Sequence, residues 1–144
     1  MTIREASLED RQAIRRLLGQ LGYPELSESD VASNIISHQQ KDYAMLVGEM
    51  DDKVIGFIAL HWFDVAHWKA KIGRISAFCV DDSSRSQGVG QKMLEHAEGL
   101  LLSKGCAKIE VTSNARRTRA HQFYLRLGYV EDSRRFVKYA GKTP

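Results

Sequence analysis

The sequence predicts an α+β fold of one domain, a mixed sheet with helices on both faces (an α/β/α sandwich). Two adjacent strand patterns are joined by the short turn Met50-Asp51-Asp52, which indicates an antiparallel hairpin. Two later strand patterns enclose an amphipathic helix, and strands joined by a crossover helix run parallel. The 144 residues are enough for one well-packed core and too few for two ordinary domains.

The first third of the chain is predicted to form one strand and two helices. Residues 2–6 have the pattern of a short strand, and Ser7 with Asp10 resembles a capping box that begins a helix through about residue 20. A glycine and a proline interrupt this helix, and residues 29–38 have the apolar spacing of a second one.

Strands and helices alternate along the rest of the chain. The hairpin strands are predicted at residues 43–49 and 53–61, with a polar, aromatic loop at residues 62–69. The later elements are a strand at 72–80, a helix at 88–104, a strand at 108–113, a helix at 118–127, and strands near Tyr129 and at 136–139.

The composition favours a cytoplasmic protein that binds small anions. Hydrophobic residues at 43% and charged residues at 27% are typical of globular proteins, and no apolar stretch approaches the roughly 18 residues of a membrane span. The first residues lack the pattern of a secretion signal. A net charge of +3 suits small anionic ligands and is too low for a nucleic-acid surface, so we predict neither a membrane nor a nucleic-acid partner. Cys79 and Cys106 have no paired spacing and are predicted to be free thiols.

The segment between the strand at 72–80 and the following helix is predicted to bind an anion. Gly88 and Gly90 allow a ligand to approach the backbone, and the first N–H groups of the helix lack partners within it. The helix dipole and the guanidinium of Arg85 both favour a negative charge here, most simply a pyrophosphate. This arrangement requires no metal ion.

The glycine spacing of this loop is by itself compatible with three further kinds of turn. An ordinary tight turn also places glycines after a strand. The phosphate-binding loop of nucleotide hydrolases is disfavoured because Gln91 and Lys92 follow Gly90, where a Lys-Ser or Lys-Thr pair would stand. A dinucleotide-binding fold is disfavoured because the third glycine of its motif is absent.

Two motifs resemble those of a known family. The hexapeptide R-S-Q-G-V-G at residues 85–90 is similar to the R/Q-x-x-G-x-G/A signature of the GCN5-related N-acetyltransferases, the GNAT family. A second segment resembles that family's N-x(n)-A-x-x-F-Y-x-x-x-G-F/Y motif through Asn114, Ala120, Phe123, Tyr124, Leu127, Gly128 and Tyr129. The resemblance extends over nearly the whole chain, from T-I-R-E-A-S-L-E-D to F-V-K-Y.

The resemblance implies the GNAT fold and a site for acetyl-CoA. The sheet would have six to seven mostly antiparallel strands with about four helices, and its central parallel pair would splay apart to admit the pantetheine arm as a substitute strand. The implied cofactor-binding residues are Phe78, Cys79, Val80, Arg85, Ser86, Gln87, Gly88, Val89, Gly90, Gln91, Asn114, Arg117, Ala120, Phe123 and Tyr124. In the basic loop, Arg116, Arg117 or Arg119 would neutralise the 3′-phosphate or an anionic acceptor.

The resemblance also implies catalytic roles. Tyr124 would be the general acid that protonates the departing thiolate, and the backbone N–H of Phe78 or Val80 would polarise the thioester carbonyl. A half-buried structural tyrosine is the alternative role of Tyr124. The strand glutamate that acts as base in many members is absent, and Glu110 on the next strand is our candidate base, unless it pairs with a lysine or arginine. The other options are His61, Asp64, His67 and a water chain.

Aromatic, acidic and imidazole side chains are concentrated around the end of the second hairpin strand. We expect this cluster to bind the acceptor, and its members are His61, Trp62, Asp64 and His67. A rim of amphipathic side chains is the alternative. A zinc site is disfavoured because the spacing matches no standard zinc motif.

The function predicted from these features is N-acetyl transfer from acetyl-CoA to a primary amine of a small molecule, by direct attack in a ternary complex. The segments L-H-W-F and S-N-A-R-R-T-R-A-H-Q-F-Y-L-R-L-G-Y are similar to aminoalkylphosphonate-type acetyltransferases. A protein or peptide acetyltransferase and a non-catalytic acyl-CoA sensor are the alternatives. The resemblance also implies a homodimer, since many members of the family form one.

Overall fold

The computed structural model describes residues 1–112, 118–132 and 135–141. The chain divides into two compact units, residues 1–112 and the part that follows. Among the described residues, no helix has both the length and the apolar character needed to cross a membrane.

Five strands form one sheet in the first unit, arranged in the order of the sequence. They are β1 (Thr2–Glu5), β2 (Tyr43–Met50), β3 (Lys53–Phe63), β4 (Lys71–Val80) and β5 (Cys106–Val111). The first four pair antiparallel, and β5 pairs with β4 in parallel. The helices are α1 (Arg11–Leu21), α2 (Glu28–Ser37) and α3 (Val89–Ser103) in the first unit, and α4 (Thr118–Arg126) in the second.

The mixed α+β fold with a parallel pair is confirmed, but the strand count is lower than expected. The described residues contain five strands rather than six to seven, and neither Tyr129 nor residues 136–139 belong to one. A strand exists only through pairing with a neighbour, which local β-propensity does not supply. In turn, β3 is longer than expected and ends at Phe63, because His61 to Phe63 still pair with β4.

Capping boxes begin the first two helical segments. The Asp10 carboxylate accepts a hydrogen bond from the Ser7 N–H at 2.8 Å, as the sequence predicts, although the first turn is a 3-10 helix that leads into α1. At the start of α2, Ser27 and Asp30 exchange hydrogen bonds of 2.9 and 3.0 Å. Both helix starts are thereby fixed by local contacts.

The helices of the first unit cover opposite faces of the sheet. On one face, α1 and α2 pack over the sheet through a buried cluster that includes Ile14, Leu17, Val31, Ile35, Val47, Phe57, Ala59 and Cys79. On the other face, α3 packs so closely that a Cβ on Gly73 would lie 2.8 Å from Leu101, and one on Gly56 would lie 2.7 Å from the Met93 sulfur. Glycine at these sheet positions lets α3 approach the strands.

An irregularity in β4 follows directly after the described part of its pairing with β5. Ala77 pairs with Ala59 on β3 whereas Ile75 pairs with the next residue, Leu60, so Ser76 is an extra residue that forms a β-bulge. Among the described residues, the pairing of β4 with β5 extends to Ile75, the residue before the bulge, and β4 itself continues to Val80.

Candidate active site

The last residues of β4 direct their backbone groups to alternate sides. Asp81 donates its N–H to the Ile55 carbonyl at 2.7 Å, so its backbone faces β3. Hydrogen-bonding groups alternate along a strand in an antiparallel pair, and those of Val80 and Phe78 therefore point away from β3. This is the side on which β5 pairs with the earlier part of β4. An extended ligand arm along this side would meet backbone groups as a neighbouring strand does.

Cys79 lies between these two residues and belongs to the core. Its side chain is buried, and its thiol donates to the Leu17 carbonyl on α1 at 3.3 Å. Cys79 and Cys106 are free thiols, as the sequence predicts. Phe78, Cys79 and Val80 are the residues expected along the pantetheine arm. The Cys79 side chain points into the core and is therefore not available to a ligand.

The buried carboxylate of Asp81 organises the turn that follows β4. It accepts hydrogen bonds from the Ser83 N–H at 3.0 Å and the Ser83 hydroxyl at 2.8 Å, and a further one from the Arg16 guanidinium. The bond from the Ser83 N–H, aided by the Ser83 hydroxyl and by Arg16, lowers the pKa of Asp81 to about 2 in spite of burial. Asp81 is therefore ionised at neutral pH.

Two side chains of α1, one helical turn apart, hold this turn in place. Arg16 contacts Asp81 and also donates to the Val54 carbonyl on β3 at 3.0 Å. The side-chain carbonyl of Gln20 accepts a hydrogen bond from the Asp82 N–H at 2.9 Å. Positions 16 and 20 face the same side of a helix. Sequence reasoning missed both residues, because nothing in their local pattern indicates which loop they reach.

The start of α3 presents backbone N–H groups at the end of this turn. Gly88 precedes the helix with a φ of +77°, and a Cβ there would meet no atom within 4 Å. The first hydrogen bond of the helix runs from the Lys92 N–H to the Gly88 carbonyl. The N–H groups of residues 89–91 precede this bond and therefore have no acceptor within the helix. Val89 is buried, and the Gln91 amide donates to Glu95 at 3.0 Å, so both would meet a ligand through their backbone.

Arg85 lies in the same loop and forms an ion pair with Asp82 at 2.9 Å. The Arg85 side chain is 36% exposed and that of Asp82 is 63% exposed, so solvent weakens this pair. An incoming phosphate could therefore take the place of the Asp82 carboxylate. Ser86 next to it has a φ of +67°, which turns the exposed chain toward Gln87 and Gly88.

The second unit contains α4, on which the expected acid Tyr124 lies. The Tyr124 ring is half-buried and packs edge-on against Phe123 and Tyr129, with centroids 5.4 and 5.6 Å away. The Tyr129 N–H also donates to the Tyr124 carbonyl at 3.0 Å. Ala120 is half-buried on this helix and Arg119 is exposed. The other expected residues of this region, Asn114, Arg116 and Arg117, lie outside the described residues.

The four residues expected to bind the acceptor do not share one face of the sheet. His61 and Trp62 are consecutive in β3 and so face opposite sides of the sheet. Trp62 is buried on the α3 face, where the Lys104 ammonium lies 5.5 Å from its ring. Asp64 is exposed and pairs with Lys71 at 3.0 Å, and His67 is exposed. The described residues contain no cluster of three or more metal-ligating side chains.

His61 belongs to a row of rings that we call the aromatic strip, formed by Tyr43, His61 and Phe63. His61 stacks on Tyr43 with centroids 5.3 Å apart and on Phe63 with centroids 5.4 Å apart. The Arg74 guanidinium covers Phe63 at 5.0 Å. Sequence reasoning missed Tyr43 and Arg74, because their proximity to His61 depends on strand register.

Glu110, our candidate base, is engaged by Arg74 on the neighbouring strand. The Arg74 Nε donates to Glu110 Oε1 at 2.7 Å, and Nη2 donates to the same oxygen. The Glu110 side chain is 30% exposed. This pairing is the alternative role that the sequence left open for Glu110.

Comparison with known proteins connects this geometry to a family. The sequence model of the Acetyltransferase (GNAT) family matches residues 11–129. An aminoalkylphosphonate N-acetyltransferase from Salmonella typhimurium is 30% identical over 141 residues, which cover 94% of this chain and 89% of that protein.

Two solved structures show the same fold. A transcriptional regulator from Bacillus halodurans superposes with a TM-score of 0.84 at 21% identity, over 96% of this chain and 98% of that chain. An aminoglycoside N-acetyltransferase in complex with CoA superposes with a TM-score of 0.82 at 19% identity, over 99% and 95% of the two chains.

Proposed function

The chain belongs to the GNAT acetyltransferase family, and on that premise we propose that it transfers the acetyl group of acetyl-CoA to a primary amine of a small molecule. Acetyl-CoA is the co-substrate of the family. The acceptor and the catalytic residues are the parts that this proposal adds.

The observation that carries the proposal is the continuity between the end of β4 and the start of α3. Phe78 and Val80 direct backbone groups away from β3, and the chain then leads through Arg85 to Gly88 and the first N–H groups of α3. A ligand with an extended arm and a pyrophosphate end is complementary to this path. Coenzyme A has both parts in that order.

The remaining cofactor contacts in the proposal follow the family motif. Asn114 would bind the pantetheine arm through its amide, Arg117 would pair with a phosphate, and Ala120 and Phe123 would pack beside the arm. Ser86 and Gln87 would reach the pyrophosphate from the exposed part of the loop.

The chemistry requires a neutral amine, donors for the tetrahedral oxyanion and a proton for the thiolate. In the proposed mechanism the amine nitrogen attacks the thioester carbon, a C–N bond forms and the C–S bond breaks. The Val80 or Phe78 N–H stabilises the oxyanion, and the Tyr124 hydroxyl donates its proton to the sulfur. Tyr124 is the family's acid by motif.

We take amines that carry an anionic group as the first acceptors to test. The name of the Salmonella typhimurium relative supports phosphonates in particular. Peptides and proteins are the second acceptor class. If no amine is acetylated, a non-catalytic acyl-CoA sensor becomes the better description.

Calorimetric titration with acetyl-CoA, followed by a thiol-release screen, tests the proposal. The screen includes aminoalkylphosphonates, aminoglycosides, polyamines and a lysine peptide. We expect saturable acetyl-CoA binding and turnover on a small amine. Absence of binding would contradict the proposed role of the loop from Arg85 to Gly90, and binding without turnover on any amine would contradict an enzyme for small amines.

Replacing Tyr124 by Phe tests the acid. We expect kcat to fall by about 100-fold while the Kd for acetyl-CoA changes by less than about twofold. Tyr23→Phe is the matched control, because Tyr23 is an exposed tyrosine at the end of α1. Equal losses of binding and turnover in Tyr124→Phe would indicate a structural tyrosine instead.

The expected cytoplasmic location and homodimer stay predictions. Light scattering at several protein concentrations measures the oligomeric state directly, and fractionation of the source cells measures the location.

A further inference from the structure

The two faces of the sheet differ in their access to the last residues of β4, along which the thioester would lie in the proposed function. On one face, α3 lies against the strands, and Leu101 fills the space over Gly73. On the other face, the buried cluster under α1 and α2 includes Phe57, Ala59 and Cys79. Beyond that cluster the face opens to solvent, since Tyr43 is 43% exposed and the Arg74 side chain is also 43% exposed. An amine would therefore reach the thioester from the face that bears the aromatic strip.

His61 is the titratable ring on this open face nearest to the bulge. On β3 it lies two residues beyond Ala59, and Ala59 pairs with Ala77 immediately after the bulge. Two residues of a strand span about 7 Å, a distance that a side chain and one water molecule bridge together. His61 also has the same orientation as Ala59, because strand side chains alternate with a period of two.

The aromatic strip holds the ring while leaving its nitrogens accessible. Tyr43 and Phe63 both stack on it. Among the described residues, the His61 ring makes no hydrogen bond, and no buried side-chain nitrogen or oxygen lacks a partner. The ring nitrogens are therefore accessible to water. A ring fixed by stacking, with a nitrogen open to solvent, suits proton transfer.

The charges around His61 favour its neutral form. Burial contributes most to a lowered pKa, and the positive charge of Arg74 on β4 and the nearby His38 ring at the end of α2 act in the same direction. Glu110 on β5 opposes them, but its carboxylate is paired with Arg74. The net effect leaves His61 unprotonated at neutral pH and able to accept a proton.

We propose that His61 is the general base of the reaction, which accepts the proton of the acceptor ammonium directly or through one water molecule. This inference rests on the proposed function and assigns the role for which the sequence favoured Glu110. The ammonium loses one proton to His61, and the neutral amine then attacks the thioester carbon. His61 releases that proton to solvent. When the C–S bond breaks, the nitrogen passes its second proton through His61 to solvent, and the Tyr124 hydroxyl gives its proton to the thiolate. Tyr124 then recovers a proton from solvent, so each turnover releases one net proton.

The variant His61→Phe tests this role, because phenylalanine keeps the stacking of the strip and removes the ring nitrogens. The acceptor is the amine with the highest turnover in the thiol-release screen. At pH 7 we expect kcat/KM for the amine to fall roughly 100-fold, with the Kd for acetyl-CoA unchanged within about twofold. Activity of the variant should recover as the pH approaches the pKa of the amine, where no base is needed. His96→Phe, which changes an exposed histidine on α3, should retain wild-type activity.

An NMR titration of the wild-type His61 ring provides a second readout. Its pKa should lie below that of a free histidine and match the acidic limb of the kcat/KM profile. If the wild type acetylates an amine and His61→Phe is equally active at every pH, the base assignment is wrong while the proposed function stands. Loss of acetyl-CoA binding in the variant would also overturn that assignment, in favour of a structural role. A wild-type protein that acetylates no amine would overturn the proposed function and this inference with it.

Discussion

Arg16 on α1 donates hydrogen bonds both to the Asp81 carboxylate and to the Val54 carbonyl, so one side chain joins the first helix to β3 and to the start of the glycine-containing turn. Asp81 in turn caps that turn through Ser83. The position of the loop that would bind pyrophosphate therefore depends on a residue far away in the sequence.

Replacing Arg16 by Ala should weaken acetyl-CoA binding. The buried Asp81 carboxylate would lose a charged donor, and we expect the free energy of unfolding to fall by about 1–2 kcal/mol. The KM for acetyl-CoA should rise several-fold with a smaller change in kcat. Arg15→Ala is the control, since among the described residues the Arg15 side chain donates its hydrogen bond to the Leu26 carbonyl, away from the loop. Equal effects of the two variants would contradict a role in positioning the loop.

The stability of the protein should depend on Asp81 in acid. Its pKa is lowered to about 2, first by the Ser83 N–H, whereas an unfolded aspartate titrates near 3.9. The stabilisation is fully present above pH 4 and is lost as the pH falls through about 2. Urea unfolding of wild type and Asp81→Asn should therefore differ most at pH 5 and progressively less toward pH 2. A difference that stayed constant over this range would show that the carboxylate charge is not responsible.

Replacing Gly88 by Ala should impair ligand binding more than folding. The φ of +77° is strained for alanine, which costs about 1 kcal/mol. The new methyl group would also occupy the open space beside the first N–H groups of α3. We expect the Kd for acetyl-CoA, measured by calorimetry, to rise at least about tenfold.

Gly105→Ala is the matched control for this prediction. Gly105 follows the other end of α3 with a φ of +90° and has equally open surroundings. It should lose similar stability and keep its affinity for acetyl-CoA. Similar affinity losses in both variants would mean that strain in α3, and not the ligand site, is responsible.

Replacing two further glycines by alanine should change the stability of the protein in opposite directions. At Gly73 the new Cβ would lie 2.8 Å from Leu101, and overpacking of this kind costs about 1–3 kcal/mol. At Gly99, an exposed interior position of α3 with nothing within 4 Å, alanine should add about 1 kcal/mol through helix propensity. Thermal unfolding measures both changes, and Tm should fall for Gly73→Ala and rise for Gly99→Ala. A Gly73→Ala protein as stable as the wild type would show that α3 can move away from the sheet.

Much of the fold was predictable because its signals are local. The capping box of Ser7 and Asp10, the hairpin turn at Asp51 and Asp52, and the glycine before α3 all specify backbone geometry within a few residues. Resemblance then supplied the order in which these pieces form a sheet. The boundaries of the central strand and of α3 agree with expectation to within about one residue.

The acceptor side was less predictable because it depends on register. In β2 and β3, Met50 pairs with Lys53, whereas Tyr43 pairs with His61, because a bulge adds one residue to β3. Extending the hairpin without the bulge would place Tyr43 opposite Leu60, on the wrong face. The stacking of Tyr43 on His61 and the pairing of Arg74 with Glu110 follow from such shifts, and local patterns do not encode them.

The bulge at Ser76 also makes β4 intolerant of changes in length. Arg74 and Cys79 are an odd number of positions apart, and at such a spacing the side chains of a regular strand point to opposite faces. Because Ser76 is an extra residue between them, both side chains point to the same face. Deleting one residue between Arg74 and Cys79 would force a choice between burying Cys79 and presenting Arg74 beside Glu110. Homologues should therefore vary this strand by substitution and not by insertion or deletion. A designer who transplants the site to another scaffold would have to carry the irregular strand with it.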